Sequence, residues 1–513
     1  MGRTERAAAG FLLSLAHYGT LIALQILLAP IILAAAGPET LGAFAILMEA
    51  AGYFAILDQG AGMSIGRHLA QAHGQPACEE RFARGFTTGR TILICTNGLF
   101  GACLLLLAPW TASLFKLSAH VAAQARFGLY LLAAWAFLRS PWTGFAIGLT
   151  ATQNLAAARS IGIVTSAGRL LLSLALVAGG FGLTGLVLAV IIAEGLTIGV
   201  STWYFRREYP QRVPAWGIRD TRLLRGMAGI ALHASVFYVG THIIYNSSNL
   251  VAGYLFGAAA ASVYYVSRMP AVLGYVIVTR LSDNVFPAVS ELWARSDRQI
   301  MARIYLRLQR VMAVLAFPLA LGMLLFHRRV IELWVGHRQY AGGLVTFALA
   351  VYCLLVSLQH INWVFLMSAG RIRRYSALTM VEAGVNLTLS VVLGRMLGLG
   401  GVALAAVLAN IPTNLYLQCT VHRELGVSIR FSLRHSWLPS LLLASLAAIP
   451  AWAVLSLLPG GRVCVLAASG SIFLILHATL CYAFVLERED RERLRAVLLQ
   501  LSRGWSRQQV QEV

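Results

Sequence analysis

The chain has 513 residues, of which 58% are hydrophobic and only 12% charged, with a mean hydropathy of +0.72. That composition excludes a soluble globular domain and fits an all-α polytopic membrane protein. The net charge of +21 does not imply a nucleic-acid partner, because the basic residues fall in short blocks between apolar runs, the pattern that sets membrane orientation.

Apolar runs near twenty residues long begin around residues 10, 41, 86, 127, 161, 183, 228, 262, 308, 343, 376, 399, 438 and 463. Each is long enough to cross a ~30 Å hydrocarbon layer, so about fourteen transmembrane helices are predicted. The first run has no clear cleavage site and reads as a span, not a signal peptide. Residues 67–90, 206–225, 291–310, 371–374, 422–435 and 487–513 are Arg-rich. These alternate to one side and predict cytoplasmic termini, with anionic lipids as partners at that face. The link 327–342, with Arg328, Arg329 and Arg338, is the exception.

An internal repeat is visible. Phe181-Gly-Leu-Thr-Gly-Leu-Val-Leu-Ala189 aligns with Leu397-Gly-Leu-Gly-Gly-Val-Ala-Leu-Ala405, and Leu149 to Asn154 lies over Leu366 to Arg371. The repeat unit is six helices, an even number, so both copies share one orientation, as in parallel-repeat transporters with a central site. The expected organisation is a six-helix lobe at 1–205, a basic cytoplasmic linker at 206–225, a second lobe at 226–421 and an additional helix pair at 438–486. The cytoplasmic tail 487–513 places Leu494, Val497, Leu498, Leu501 and Trp505 on one amphipathic face.

Charges inside apolar sequence mark functional candidates, because each costs several kcal/mol at membrane depth unless it meets water or a partner. The stretch from Val263 to Leu292 reads as one helix of some thirty residues holding Arg268, Arg280 and Asp283. Tyr264, Arg268 and Tyr275 share a stripe, and Asp283 is a local partner for Arg280. Arg139 sits mid-span in its helix, two residues before Pro141, which would kink the helix where a cavity rehydrates the backbone. Arg169 starts two turns from the cytoplasmic end of its run, close enough to snorkel. Arg268, Arg139, Arg280 and Arg169 are thus the candidate cavity cations; a buried pair with Asp or Glu is the alternative for Arg139 and Arg268, and snorkelling that for Arg169. Buried acids are Glu49, Asp58, Glu194, Asp283 and Glu382. Glu49, Asp58 and Asp283 are candidates for ion coupling. A polar stripe of Tyr238, His242, Asn246 and Asn249, with Tyr264, Tyr18, Gln25, Gln359 and Asn362 elsewhere, would suit a hydroxyl-rich ligand, or would serve interhelical hydrogen bonding.

Several chemistries are absent. The only lysine is Lys116, so no GxxxxGK[ST] phosphate loop exists. The seven cysteines form no CxxC pair and there is no HExxH, so neither a metal nor any other cofactor is implied. No DxD occurs, which counts against a polytopic glycosyltransferase or ligase.

At this point a resemblance emerges. Leu57-Asp58-Gln59-Gly60-Ala61-Gly62-Met63-Ser64-Ile65-Gly66-Arg67 resembles the end of the second helix in polysaccharide transporters of the multidrug/oligosaccharidyl-lipid/polysaccharide (MOP) exporter superfamily. Asn249 to Tyr265 is similar to their passage from helix 7 to helix 8, and Phe286-Pro-Ala-Val-Ser-Glu-Leu292 to their helix 8 close. The resemblance implies two six-helix lobes around a cationic cavity, lined by arginines at the positions of Arg139 and Arg268. It implies flipping of a polyprenyl-pyrophosphate-linked glycan across a bacterial inner membrane by a monomer that works beside polysaccharide polymerase and export proteins. Fourteen helices resemble the peptidoglycan-precursor branch, where the extra pair makes a lipid-tail groove. The alternative within the same fold is an ion-coupled antiporter of organic cations.

Overall fold

The computed structural model describes residues 3–74, 78–213, 216, 220–283, 285–295, 298–370, 372–457, 463–485 and 491–492, and among them there is no strand. Twelve helices are long and apolar enough to cross a membrane. Two of the twelve are broken by a glycine, at Gly37 and at Gly398. Cutting there resolves them into the fourteen spans expected from the apolar runs. These are α1 (3–36), α2 (38–73), α3 (Cys78–Leu107), α4 (Ala119–Arg139), α5 (Leu155–Ala178), α6 (Gly182–Glu208) and α7 (Thr221–Phe256). They continue as α8 (Ala258–Asp283), α9 (Arg298–Val335), α10 (Gly343–Ser368), α11 (372–397), α12 (399–425), α13 (Leu438–Leu457) and α14 (Val463–Phe484). The protein is a multi-pass membrane protein. Large apolar side chains left exposed, such as Leu106, Val164, Leu171 and Phe484, match a surface whose solvent is lipid.

The repeat is written into the backbone. Gly37 (φ 81, ψ 171) between α1 and α2 has the conformation of Gly257 (φ 88, ψ 170) between α7 and α8, 220 residues on. Only glycine enters this region without strain. Three further helix junctions pair the same way by positive φ: Lys116 with Gly336, Gln153 with Gly370, and Gly182 with Gly398. The last two pairs coincide with the two sequence alignments, at offsets of 217 and 216.

The chain forms two compact units, one of residues 1–269, 334–345 and 373–410, the other of 270–333, 346–372 and 411–513. In the first, α2 runs against α7 and α8 at backbone distance. A Cβ on Gly42 would fall 1.7 Å from the Ala258 carbonyl oxygen, and one on Gly60 would fall 2.1 Å from Ser235 Oγ. Small residues permit such approaches, which dispersion then rewards. One end of this unit is closed by Phe82, Phe86, Phe145 and Phe205, each at most 1% exposed, with ring centroids 5.0–6.3 Å apart.

Within the second unit, Tyr305 Oη donates to Asn362 Oδ1 (2.6 Å), Gln309 Nε2 donates to Tyr305 Oη (2.8 Å), and Asn362 Nδ2 donates to Gln418 Oε1 (2.6 Å). His422 and Ser432 extend this buried network. Phe473 of α14 packs with Ala447 and Ala451 of α13.

Three expectations are corrected. The stretch 263–292 is not one helix. It ends at Asp283 and restarts as a short helix, Phe286–Arg295, because Pro287 lacks an N–H and fits only a first turn. Arg139 is not mid-helix, since α4 stops at it. The turn at Ser140–Thr143 follows, where the Arg139 carbonyl accepts from Trp142 N, Thr143 N and Thr143 Oγ1. Arg169 is not two turns inside its helix. α5 begins at Leu155, capped by the Asn154 side chain, which puts Arg169 ~21 Å from that end at ~1.5 Å per residue. The tail face at 494–505 lies outside the described residues.

The α2–α8 contact sets the first expected outcome. Gly42→Ala should cost ~1–3 kcal/mol or more, the range for overpacking, because the obstacle is a backbone carbonyl. A drop in the thermal midpoint of the purified protein is the check, and an unchanged midpoint would show that the helices do not approach as described.

Candidate functional site

Glu49, Asp58 and Glu194 form two ion-pair clusters with Arg139 and Arg268 in the first unit, both anchored on α2. Two other buried charged residues of this unit lie outside them: Glu382, which accepts from Asn410 Nδ2 (2.8 Å), and Arg90, which lies over the Trp216 and Phe145 rings. In the first cluster, Arg139 of α4 pairs with Glu194 of α6 and lies 3.6 Å from Asp58 of α2. Arg139 Nε donates to Asn97 Oδ1 (3.0 Å), and Asn97 Nδ2 donates to Asp58 Oδ1 (2.7 Å). Trp135 Nε1 donates to the other Glu194 oxygen (2.7 Å), and the guanidinium lies over the Phe100 ring at 5.6 Å. Every edge of this arginine is in use.

In the second cluster, Arg268 of α8 donates through Nη2 to Glu49 Oε1 of α2 (3.0 Å) and through Nη1 to the Tyr245 carbonyl of α7. Glu49 is 8% exposed, and the fully buried Asn249 lies beside it, within hydrogen-bonding reach of its carboxylate. His242 contacts Asn246 (Nδ1 to Nδ2, 3.1 Å) and meets the Tyr53 ring edge-on at 4.6 Å. Tyr264 is 1% exposed, so it supports Arg268 from within the packing and does not line an open wall.

Arg169 differs from both. Among the described residues it has no ion pair, and its buried Nε has no hydrogen-bond partner. Tyr265 and Glu194 lie within its electrostatic reach. Three acids (Glu49, Asp58, Glu194) therefore face three arginines (Arg139, Arg169, Arg268), and only Arg169 lacks a directly bonded carboxylate.

The remaining candidates lie elsewhere. Arg280 is exposed and pairs with Asp283 at 3.3 Å as the spacing predicts, but Asp283 also accepts from His360 Nε2 at 2.8 Å. His360 is stacked on Trp363. Asn362, expected to line a cavity, uses both amide atoms in the buried Tyr305 network. Gln359 is buried, Gln25 is exposed, and the side chain of Tyr18 lies outside the described residues. Asn97, Trp135 and His360 were not foreseen. Trp135 carried a signal, since it sits four residues before Arg139 on the same face. Among the described residues no group of three His, Cys, Asp or Glu could hold a metal.

The Arg268–Glu49 pair gives a clean test of its own. Arg268→Ala leaves a carboxylate unpaired in a buried place and should destabilise by about 3–5 kcal/mol. The double variant Arg268→Ala/Glu49→Gln should recover most of that loss. A double variant no more stable than the single one, by thermal unfolding in detergent, would show the pair to be energetically unimportant.

A family model described as a polysaccharide biosynthesis protein matches residues 63–341. No curated protein matches the chain by sequence. Among solved structures it is similar to the lipid II flippase MurJ in an inward closed conformation, with a TM-score of 0.70, 15% identity, and coverage of 92% of this chain and 98% of that one. It is also similar to an inward-facing multidrug resistance MATE family transporter of the MOP superfamily, with a TM-score of 0.65, 15% identity and coverage of 78% and 95%. A MOP superfamily transporter from Pyrococcus furiosus, described by a binding pocket of reverse polarity, matches at a TM-score of 0.56, 15% identity and coverage of 82% and 96%. At these identities the likeness is one of fold.

Proposed function

Given that the chain belongs to the polysaccharide biosynthesis protein family and has the MOP transporter fold, we propose that it flips a polyprenyl-pyrophosphate-linked oligosaccharide across the bacterial cytoplasmic membrane. Both termini face the cytoplasm in this reading. The halves 1–205 and 226–421 expose the headgroup site alternately to the two faces, and the lipid tail stays in the bilayer. The process is translocation, not catalysis.

The observation that carries the reading is Arg169. A pyrophosphate cannot cross hydrocarbon unaided, and a guanidinium keeps its charge at any accessible pH while offering phosphate a planar fork of donors. Arg139 and Arg268 are already bonded to carboxylates. Arg169 is the cation whose donors remain unspent. The headgroup is met first by Arg169, with Tyr265 beside it, and Arg139 and Arg268 join only as their acids are neutralised or displaced. Glu49 is the place for that neutralisation, since it is buried between Arg268 and the Asn249 amide, which would help hold a proton or cation there.

Arg169→Ala should abolish flipping while leaving the ion pairs and the folded yield intact. Arg169→Lys should remain strongly impaired, because an ammonium does not reproduce the fork. The readout is the leaflet distribution of lipid-linked glycan in cells or proteoliposomes. Normal flipping by a well-folded Arg169→Ala protein would overturn the assignment.

A further inference from the structure

A second feature of the first unit is a cleft of about 660 Å3 between α4 and α6, bordered by Trp135, Leu138, Arg139, Gly195, Gly199 and Trp203, with Arg206 and Arg207 at one end. Leu138 and Trp203, which border the cleft, are themselves exposed large apolar side chains. A wall of this kind contacts acyl chains. A water-filled passage would be lined with polar groups. Gly195 and Gly199 hollow the α6 side, and a Cβ on Gly199 would meet nothing within 4 Å.

The basic end is built. Arg206 lies over Trp142 and Phe145, both at 5.4 Å, and Arg207 over Trp203 at 5.5 Å. Neither has an ion pair among the described residues, and a third guanidinium, that of Arg90, lies within electrostatic reach of Arg206. Arg206 and Arg207, held by ring faces at one cleft and without an ion pair among the described residues, call for an anion from outside. Length gives the second argument. From Gly195 to Arg207 the helix rises ~18 Å, about the depth of one leaflet of a ~30 Å hydrocarbon core. Aromatic and arginine side chains therefore sit at headgroup level while the glycine trough reaches toward the midplane.

We propose that this cleft seats one anionic phospholipid of the cytoplasmic leaflet, with its phosphate on Arg206 and Arg207 and an acyl chain laid along Gly199 and Gly195. The site meets the one around Arg169 only at Arg139 and stands whether or not the transported substrate is a lipid-linked glycan. Its inner end is Arg139, so an occupied cleft braces α4 against α6 where the Arg139–Glu194 pair joins them.

The test uses the full-length protein in detergent with phosphatidylglycerol or phosphatidylcholine added, read by native mass spectrometry and by thermal midpoint. Phosphatidylglycerol should be retained preferentially and should raise the midpoint. Arg206→Ala/Arg207→Ala should weaken retention roughly thirtyfold, from the typical contribution of two basic residues at a membrane surface. Gly199→Leu should block the chain while folding normally, because the space it fills is open. Equal retention of both lipids, or undiminished phosphatidylglycerol binding in Gly199→Leu and the arginine double variant, overturns the proposal. Displacement of the phospholipid by polyprenyl-linked glycan also overturns it, since the cleft would then belong to the substrate.

Discussion

Two carboxylates on one helix hold the first unit's buried charge in balance. Glu49 and Asp58 are nine residues apart on α2, which turns them to different faces, and each meets an arginine from another helix. A charge left alone at this depth would cost several kcal/mol, so α4 and α8 cannot leave α2 without exposing an unpaired ion. The glycine contacts at Gly42 and Gly60 enforce the same arrangement from the apolar side, because they bring α8 and α7 close enough for Arg268 to reach both Glu49 and the Tyr245 carbonyl. Ion pairing and backbone packing thus specify one helix arrangement twice over.

Much of this was legible in the sequence. Span number followed from run length, because bilayer thickness imposes a length that soluble helices do not share. The six-helix repeat followed from two weak alignments, and the paired positive-φ residues extend it to Gly37 and Gly257, where the flanking sequences show no obvious likeness. The conformation needed there is carried by a single glycine in each copy, too small a signal for an alignment to register. The buried acids and arginines were also recognised as a set.

Their partners were not legible. Helical spacing relates residues on one helix, so Arg280 and Asp283 could be paired in advance, whereas Arg139 and Glu194 are 55 residues apart and meet only through tertiary packing. Arg169 was misplaced for a different reason. Arg159 interrupts the apolar pattern, so the run was started at residue 161, although the helix begins at Leu155. Those six residues separate an arginine two turns from the cytoplasmic end, able to snorkel, from one about four turns into its helix. Asn362 shows the opposite case. An amide in an apolar helix reads as a cavity lining, yet a ring of Tyr305, Gln309, Gln418 and His422 satisfies it internally.

The charge balance also constrains how transport would be driven. With three acids and three arginines the resting set is neutral, and no nucleotide-binding loop is present to supply energy. A dianionic pyrophosphate entering this set would leave it with two uncompensated negative charges in a low-dielectric place. Such a state becomes accessible only when protons or cations arrive with the headgroup, or when a carboxylate gives up its arginine and is neutralised. Substrate entry and cation uptake would then be linked by electroneutrality, and by reciprocity each would raise the affinity for the other. On the proposed function the linkage would act locally at Glu49, whose carboxylate is bonded to Arg268 and lies beside Asn249. When Arg268 turns toward phosphate, that carboxylate loses its one strong partner, and a proton or monovalent cation between it and Asn249 is the cheapest replacement. If the proposed function holds, an arginine–carboxylate pair that would otherwise be only a brace is also the element through which an ion gradient would act on the transported headgroup.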